Sequence, residues 1–211
     1  MTTNATELLP VPGAELVELD AVAVRTSAEL VERITPADLA RPTPCAAWTL
    51  YGLLAHMATQ HYGFAAASAG DDGLAPWRLR PLGADPVATY RDAAGEVLAA
   101  FRAEGVLDRE FPLPELSARL RFPAAQAISF HFIDYVVHSW DVAATLGLPV
   151  RFEPEVLTAG LAVARAVPGG ERRLAPGAAF APAVSWQAAD PLAEILALLG
   201  RSPAWPGSHP E

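Results

Sequence analysis

Four of the chain's five histidines lie in two short apolar stretches, and this feature limits what the chain can fold into more than any other. The histidines at 56 and 61 belong to LLAHMATQHYGF, and those at 131 and 138 belong to SFHFIDYVVHSWDVA, which also carries aspartates at 134 and 141. Burying an ionised carboxylate or imidazolium without a partner costs several kcal/mol or more. A divalent metal is the best available explanation for such a cluster.

Composition favours helices over sheets. The chain has 211 residues, enough for one sizeable core, and its 52% hydrophobic content is dominated by alanine and leucine. Alanine is the best helix former and a poor strand former. We therefore predict an all-α protein, preceded by a flexible N-terminus over residues 1–13.

Helix boundaries follow from capping residues and apolar periodicity. Thr49 is a good N-cap, Gly147 is a good C-cap, and the segment before Gly147 is apolar nearly all round, so it should form the most buried helix. Two short extended pieces, DREFPLP and ARLRFP, suggest a small hairpin. The predicted helices cover about 14–34, 50–68, 86–103, 123–146, 154–167 and 191–199.

Several functional classes are excluded by composition. The net charge of −9 and the lack of a basic run argue against nucleic acid as a partner. All fifteen basic residues are arginine, so lysine Schiff-base chemistry is excluded. Cys45 is the only cysteine, which excludes an internal disulfide and a cysteine-based zinc site. Without a signal peptide or membrane span, we expect a cytoplasmic protein that acts on a small molecule, with a homodimer possible.

The polar residues of the fourth predicted helix share one face. Asp134 and His138 are spaced i, i+4, so their Cβ atoms lie about 5 to 6 Å apart and both can reach one ion. A third ligand must come from another helix, and His56 is the best donor. His61 lies about 140° further round the same helix and should stay outside the ligand set.

The remaining polar residues allow several roles. His131 and Asp141 lie on the ligand face, where either can orient a ligand or move protons. Tyr135 can donate its hydroxyl to an oxyanion, or serve only in the core. Two imidazoles and a carboxylate suit Zn²⁺, Ni²⁺, Fe²⁺ or Mn²⁺. The alternative without a metal is that the histidines and aspartates simply hydrogen-bond one another in the core.

Three strings carry a family resemblance: RPTPCAAWTLYGLLAHM, DYVVHSWDVAATLGLP and PLAEILALLGRSPAW. They resemble the actinobacterial branch of the DinB-like superfamily, which groups with mycothiol-dependent maleylpyruvate isomerases. The resemblance implies a four-helix bundle over 14–150 and a short C-terminal helical extension over 151–211. It also implies a divalent metal held by His56, Asp134 and His138, with glutamate in the isomerases where this chain has aspartate, and mycothiol as a possible co-substrate.

The leading functional hypothesis is a metal-dependent enzyme that acts on a small organic molecule by thiol-assisted isomerisation or S-transfer. A second hypothesis keeps the metal but assigns hydrolysis of an amide or ester. A third is a non-enzymatic bundle that binds a small ligand.

Overall fold

The computed structural model of the protein describes residues 11–45, 48–175, 178–187 and 190–207, so most of the predicted flexible N-terminus lies outside the described residues. The predicted all-α class is confirmed. A two-stranded antiparallel hairpin, formed by β1 (Glu110–Pro112) and β2 (Arg121–Pro123), accompanies the helices. The helices are α1 (Gly13–Val31), α2 (Leu50–Ser68), α3 (Pro86–Phe101), α4 (Ala124–Leu146), α5 (Pro154–Ala166) and α6 (Pro191–Leu198).

Local capping explains the helix ends. Helix α2 begins where predicted, because the Thr49 hydroxyl accepts a hydrogen bond from the Gly52 N–H at 3.3 Å. Helix α4 ends at Gly147, whose φ of +71° is the left-handed conformation that glycine adopts without strain. Helix α1 is shorter than predicted, because the chain after Val31 tightens into i→i+3 hydrogen bonds ahead of a proline.

Helices α1 to α4 pack around one apolar core. Helix α1 packs closely on α4 and also on α3, and α3 packs closely on α2, whereas α2 and α4 approach each other at fewer positions. Helices α5 and α6 pack on each other, and α5 also contacts α4 and α1. Helix α4 is the most buried helix, as predicted. None of the described helices is long and apolar enough to cross a membrane.

A hydrogen-bonded chain of fully buried side chains crosses all four bundle helices. His131 Nδ1 lies 2.7 Å from Asp20 Oδ1, and His131 Nε2 lies 3.1 Å from His61 Nδ1. His61 Nε2 is 3.3 Å from the Tyr90 hydroxyl, which is 2.6 Å from the Ser27 hydroxyl. We call these five residues the core chain.

The hydrogen bonds fix the proton positions of the core chain from Ser27 to His131 Nε2. Ser27 donates to the Val24 carbonyl at 2.7 Å, so it accepts from Tyr90, and Tyr90 in turn accepts from His61 Nε2–H. His61 Nδ1 is therefore a bare acceptor for His131 Nε2–H. Burial, together with His131, holds the pKa of His61 well below its ordinary value of 6.5.

The exclusion of a proton from His61 should lower folding stability in mild acid. Below about pH 6.5 an unfolded His61 binds a proton that the folded protein excludes, so stability is full above that pH and is lost as the pH drops. By pH 5 the loss amounts to up to about 2 kcal/mol. Urea unfolding of metal-free protein at pH 7 and pH 5 measures it, with His61→Gln as the comparison. The variant should lose less stability over this interval than the wild type; equal losses would contradict the assignment.

Candidate metal centre

Three side chains from α2 and α4 converge within the bundle. His56, Asp134 and His138 each offer a ligand atom, and these atoms all lie within 4.8 Å of one another. His138 Nε2 is 3.3 Å from Asp134 Oδ1, and the rings of His56 and His138 stand nearly perpendicular with their centroids 5.4 Å apart. The structure therefore brings together the three residues that the sequence analysis selected as ligands.

The second nitrogen of His138 is held by Asp141. His138 Nδ1 lies 2.9 Å from Asp141 Oδ2, and because an ionised carboxylate only accepts, His138 donates its Nδ1–H there. In the neutral ring the Nε2 lone pair then faces the Asp134 carboxylate, so two acceptors meet across 3.3 Å. That arrangement requires a cation between them or a second proton on the ring.

The carboxylates beside His138 favour a positive charge on its ring. Burial alone would lower the pKa of His138, but the carboxylates of Asp134 and Asp141 outweigh it and raise that pKa above its ordinary value. Burial alone would raise the pKa of Asp141, but hydrogen bonds and charge from His138 and Arg201 outweigh it and hold that pKa below its ordinary value. Asp141 is thus an anion in the core.

Arg201 is the site residue that the sequence analysis missed. It follows α6 and reaches into the bundle, where its Nε lies 3.0 Å from Asp141 Oδ1 and its Nη2 lies 3.1 Å from Asp141 Oδ2. Its side chain is only 7% exposed. One signal could have found it: a buried aspartate on an apolar helix needs a cationic partner, and in a chain without lysine that partner must be histidine or arginine.

His56 and Asp134 occupy different environments. The His56 ring packs against Trp48, with centroids 4.4 Å apart and planes tilted by 30°. Burial, and secondarily the neighbouring His138, lowers the pKa of His56 to about 4, so the ring is neutral at pH 7 and has a lone pair available for a metal. The Asp134 side chain is 21% exposed, and His56 is also partly exposed, whereas His138 is buried.

Two residues considered as catalytic lie elsewhere. His131 is fully buried and has both ring nitrogens engaged by Asp20 and His61 in the core chain. Tyr135 is also fully buried, and its hydroxyl donates to the Met57 carbonyl. Neither side chain can touch a substrate in this geometry, so the structure does not support the catalytic roles that the sequence suggested for them. Asp141 instead contacts a ligand residue directly.

Two sequence relatives and two solved structures are similar to this chain. Two Mycobacterium tuberculosis proteins, one from each of two strains and both named as uncharacterized, are 30% identical to this chain over 181 residues, covering 83% of this chain and 91% of each relative. The crystal structure of the mycothiol-dependent maleylpyruvate isomerase superposes with a TM-score of 0.55 at 17% identity, covering 72% of this chain and 68% of that one. A histidine-to-alanine mutant of that enzyme gives the same TM-score at 16% identity.

A family model matches the part of the chain that holds the proposed ligands. The model for the mycothiol maleylpyruvate isomerase N-terminal domain matches residues 21–143, which is more than half of the chain. The matched part includes all of α2 and most of α4, with Asp141. The resemblance drawn from the sequence motifs is therefore confirmed, and the chain belongs to the mycothiol maleylpyruvate isomerase N-terminal domain family.

Proposed function

We propose that this protein is a metal-dependent enzyme that isomerises a small organic molecule with the help of a low-molecular-weight thiol such as mycothiol. One observation carries the metal part of the proposal: His138 Nε2 and Asp134 Oδ1 face each other at 3.3 Å with the other His138 nitrogen already bonded to Asp141. A divalent cation bound between these two atoms would take the place of the second ring proton that the contact otherwise needs. The name of the matching family supports the thiol part.

The donor set fits a catalytic metal rather than a structural one. Two imidazoles and one carboxylate leave coordination positions for a substrate or co-substrate, which is the usual arrangement in catalytic zinc sites. Zn²⁺, Ni²⁺, Fe²⁺ and Mn²⁺ all accept such ligands. When bound, the metal would lower the pKa of a coordinated thiol or water and polarise a substrate carbonyl.

The residues around the ligands would fix their geometry. Asp141 accepts from His138 Nδ1–H and so keeps Nε2 free for the metal, and Arg201 holds Asp141 in place from the opposite side. Trp48 limits rotation of the His56 ring by packing against it. Since His56 and Asp134 are both partly exposed and His138 is buried, we expect substrate to approach from the side of His56 and Asp134.

The thiol would have to come from outside the chain. Burial raises the pKa of Cys45, the only cysteine, to about 11, so this thiol stays protonated and unreactive at neutral pH. An external thiolate adds reversibly to a carbon–carbon double bond conjugated to a carbonyl. Rotation about the resulting single bond, followed by loss of the same thiolate, returns the thiol and gives the geometric isomer.

Metal content tests the first part of the proposal. Elemental analysis should find about one divalent metal per chain in wild-type protein, as purified or after reconstitution, and His56→Ala and His138→Ala should each lose most of it because two ligands hold a metal poorly. His209→Ala is the control, since it removes the one histidine outside the two apolar stretches and should keep the metal. Wild-type protein that cannot be loaded, or His138→Ala protein with full metal content, would refute the metal assignment.

Thiol dependence tests the second part. Metal-loaded protein should convert a cis-configured unsaturated keto acid such as maleylpyruvate to its trans isomer only when mycothiol is added, with a non-nucleophilic alcohol analogue of the thiol as the control. Conversion that is equally fast without thiol would contradict thiol assistance. Cleavage of ester or amide substrates without thiol would favour the hydrolase alternative, and metal binding without any turnover would favour a ligand-binding role.

A further inference from the structure

We propose that Tyr135 is a positioning residue of the metal site, which sets the place of His56 relative to Asp134 and His138 by holding the backbone of α2. The inference rests on the proposed metal site and extends it, because it explains how ligands from two separate helices are kept at a common centre.

The proposed ligands are divided between two helices, so the spacing between α2 and α4 has to be held by specific contacts. These helices approach each other at fewer positions than the other adjacent pairs of the bundle, and the ligands are divided between them. His56 comes from α2, whereas Asp134 and His138 come from α4. Contacts that join α2 to α4 directly therefore control whether the ligand atoms converge.

Tyr135 makes the contact nearest to the ligands in sequence. It follows Asp134 in α4, and its hydroxyl donates to the carbonyl of Met57, the residue after His56 in α2. Met57 lies in the turn after His56, so the hydroxyl holds the α2 backbone within one turn of the proposed ligand.

The tyrosine itself is rigidly held. Its ring stacks on His61 with centroids 4.1 Å apart and lies 4.3 Å from the ring of His131, and the residue is fully buried. Burial raises the pKa of its hydroxyl well above the ordinary value, so the proton donated to Met57 is always present. The hydrogen bond between His61 and His131 in the core chain is a second contact between α2 and α4.

Tyr90 provides a matched comparison. It is equally buried, and its hydroxyl hydrogen-bonds to Ser27 of α1 and to the His61 imidazole. It is a residue of α3, which supplies none of the three ligands, and these two hydrogen bonds reach neither α4 nor the backbone beside His56. Tyr90→Phe and Tyr135→Phe thus delete the same buried hydroxyl group, but only Tyr135→Phe releases the α2 backbone from α4.

Cobalt titration of metal-free protein tests the inference. Competition with a chelator gives the affinity for Co²⁺, and the visible absorption bands report the ligand geometry. Tyr135→Phe should weaken Co²⁺ binding by about tenfold or more and change the position or intensity of the bands, as expected for loss of an outer contact that orients ligands. Tyr90→Phe should lower stability too, yet keep wild-type affinity and spectrum.

Three results would overturn the inference. Wild-type affinity and spectrum in Tyr135→Phe would show that the hydroxyl does not position His56. Equal weakening in both variants would show a general loosening of the core. Wild-type protein that takes up no cobalt would overturn the proposed metal function and this inference with it. If Tyr135→Phe folds poorly, trimethylamine N-oxide restores compact protein without restoring the hydroxyl, and the titration is repeated on protein whose near-UV circular dichroism is native.

Discussion

The buried Asp141 carboxylate is the group on which the arrangement of the site depends. A carboxylate in an apolar bundle is tolerated only if its charge and its hydrogen-bonding capacity are both met. Arg201 supplies the compensating positive charge through a bidentate contact, and His138 donates a further hydrogen bond. The segment after α6 is thereby attached to the interior of the bundle, and the orientation of His138 is decided by the same interaction.

The bundle contains two sets of polar residues, the core chain and the candidate metal centre, and they differ in one respect. In the core chain of Asp20, His131, His61, Tyr90 and Ser27, each hydrogen bond between neighbours has a donor and an acceptor, and the residues are buried, so the chain stabilises the bundle without offering a site. In the candidate metal centre, His138 Nε2 and Asp134 Oδ1 face each other at 3.3 Å and need a cation or a proton between them, and Asp134 is partly exposed. The candidate metal centre can therefore accept a cation, whereas the core chain has no open position.

Local features of the sequence were sufficient for the helices and for the proposed ligands. Caps such as Thr49 act within a few residues, and the i, i+4 spacing of Asp134 and His138 is visible without a fold. The partners of His131 and Tyr135 were not predictable in this way. Asp20 and Met57 lie far from them in sequence, and only the packing of α1, α2 and α4 brings these groups into contact. Arg201 was missed for the same reason.

X-ray absorption at the zinc edge of zinc-loaded wild-type protein identifies the ligands of the bound ion, and so decides whether His56, Asp134 and His138 form a metal centre. We expect nitrogen and oxygen neighbours at about 2.0 to 2.1 Å, with the multiple scattering of two imidazoles and no sulfur in the absence of added thiol. A spectrum with a zinc–sulfur distance of about 2.3 Å, or one without imidazole scattering, would contradict a centre built from His56, Asp134 and His138.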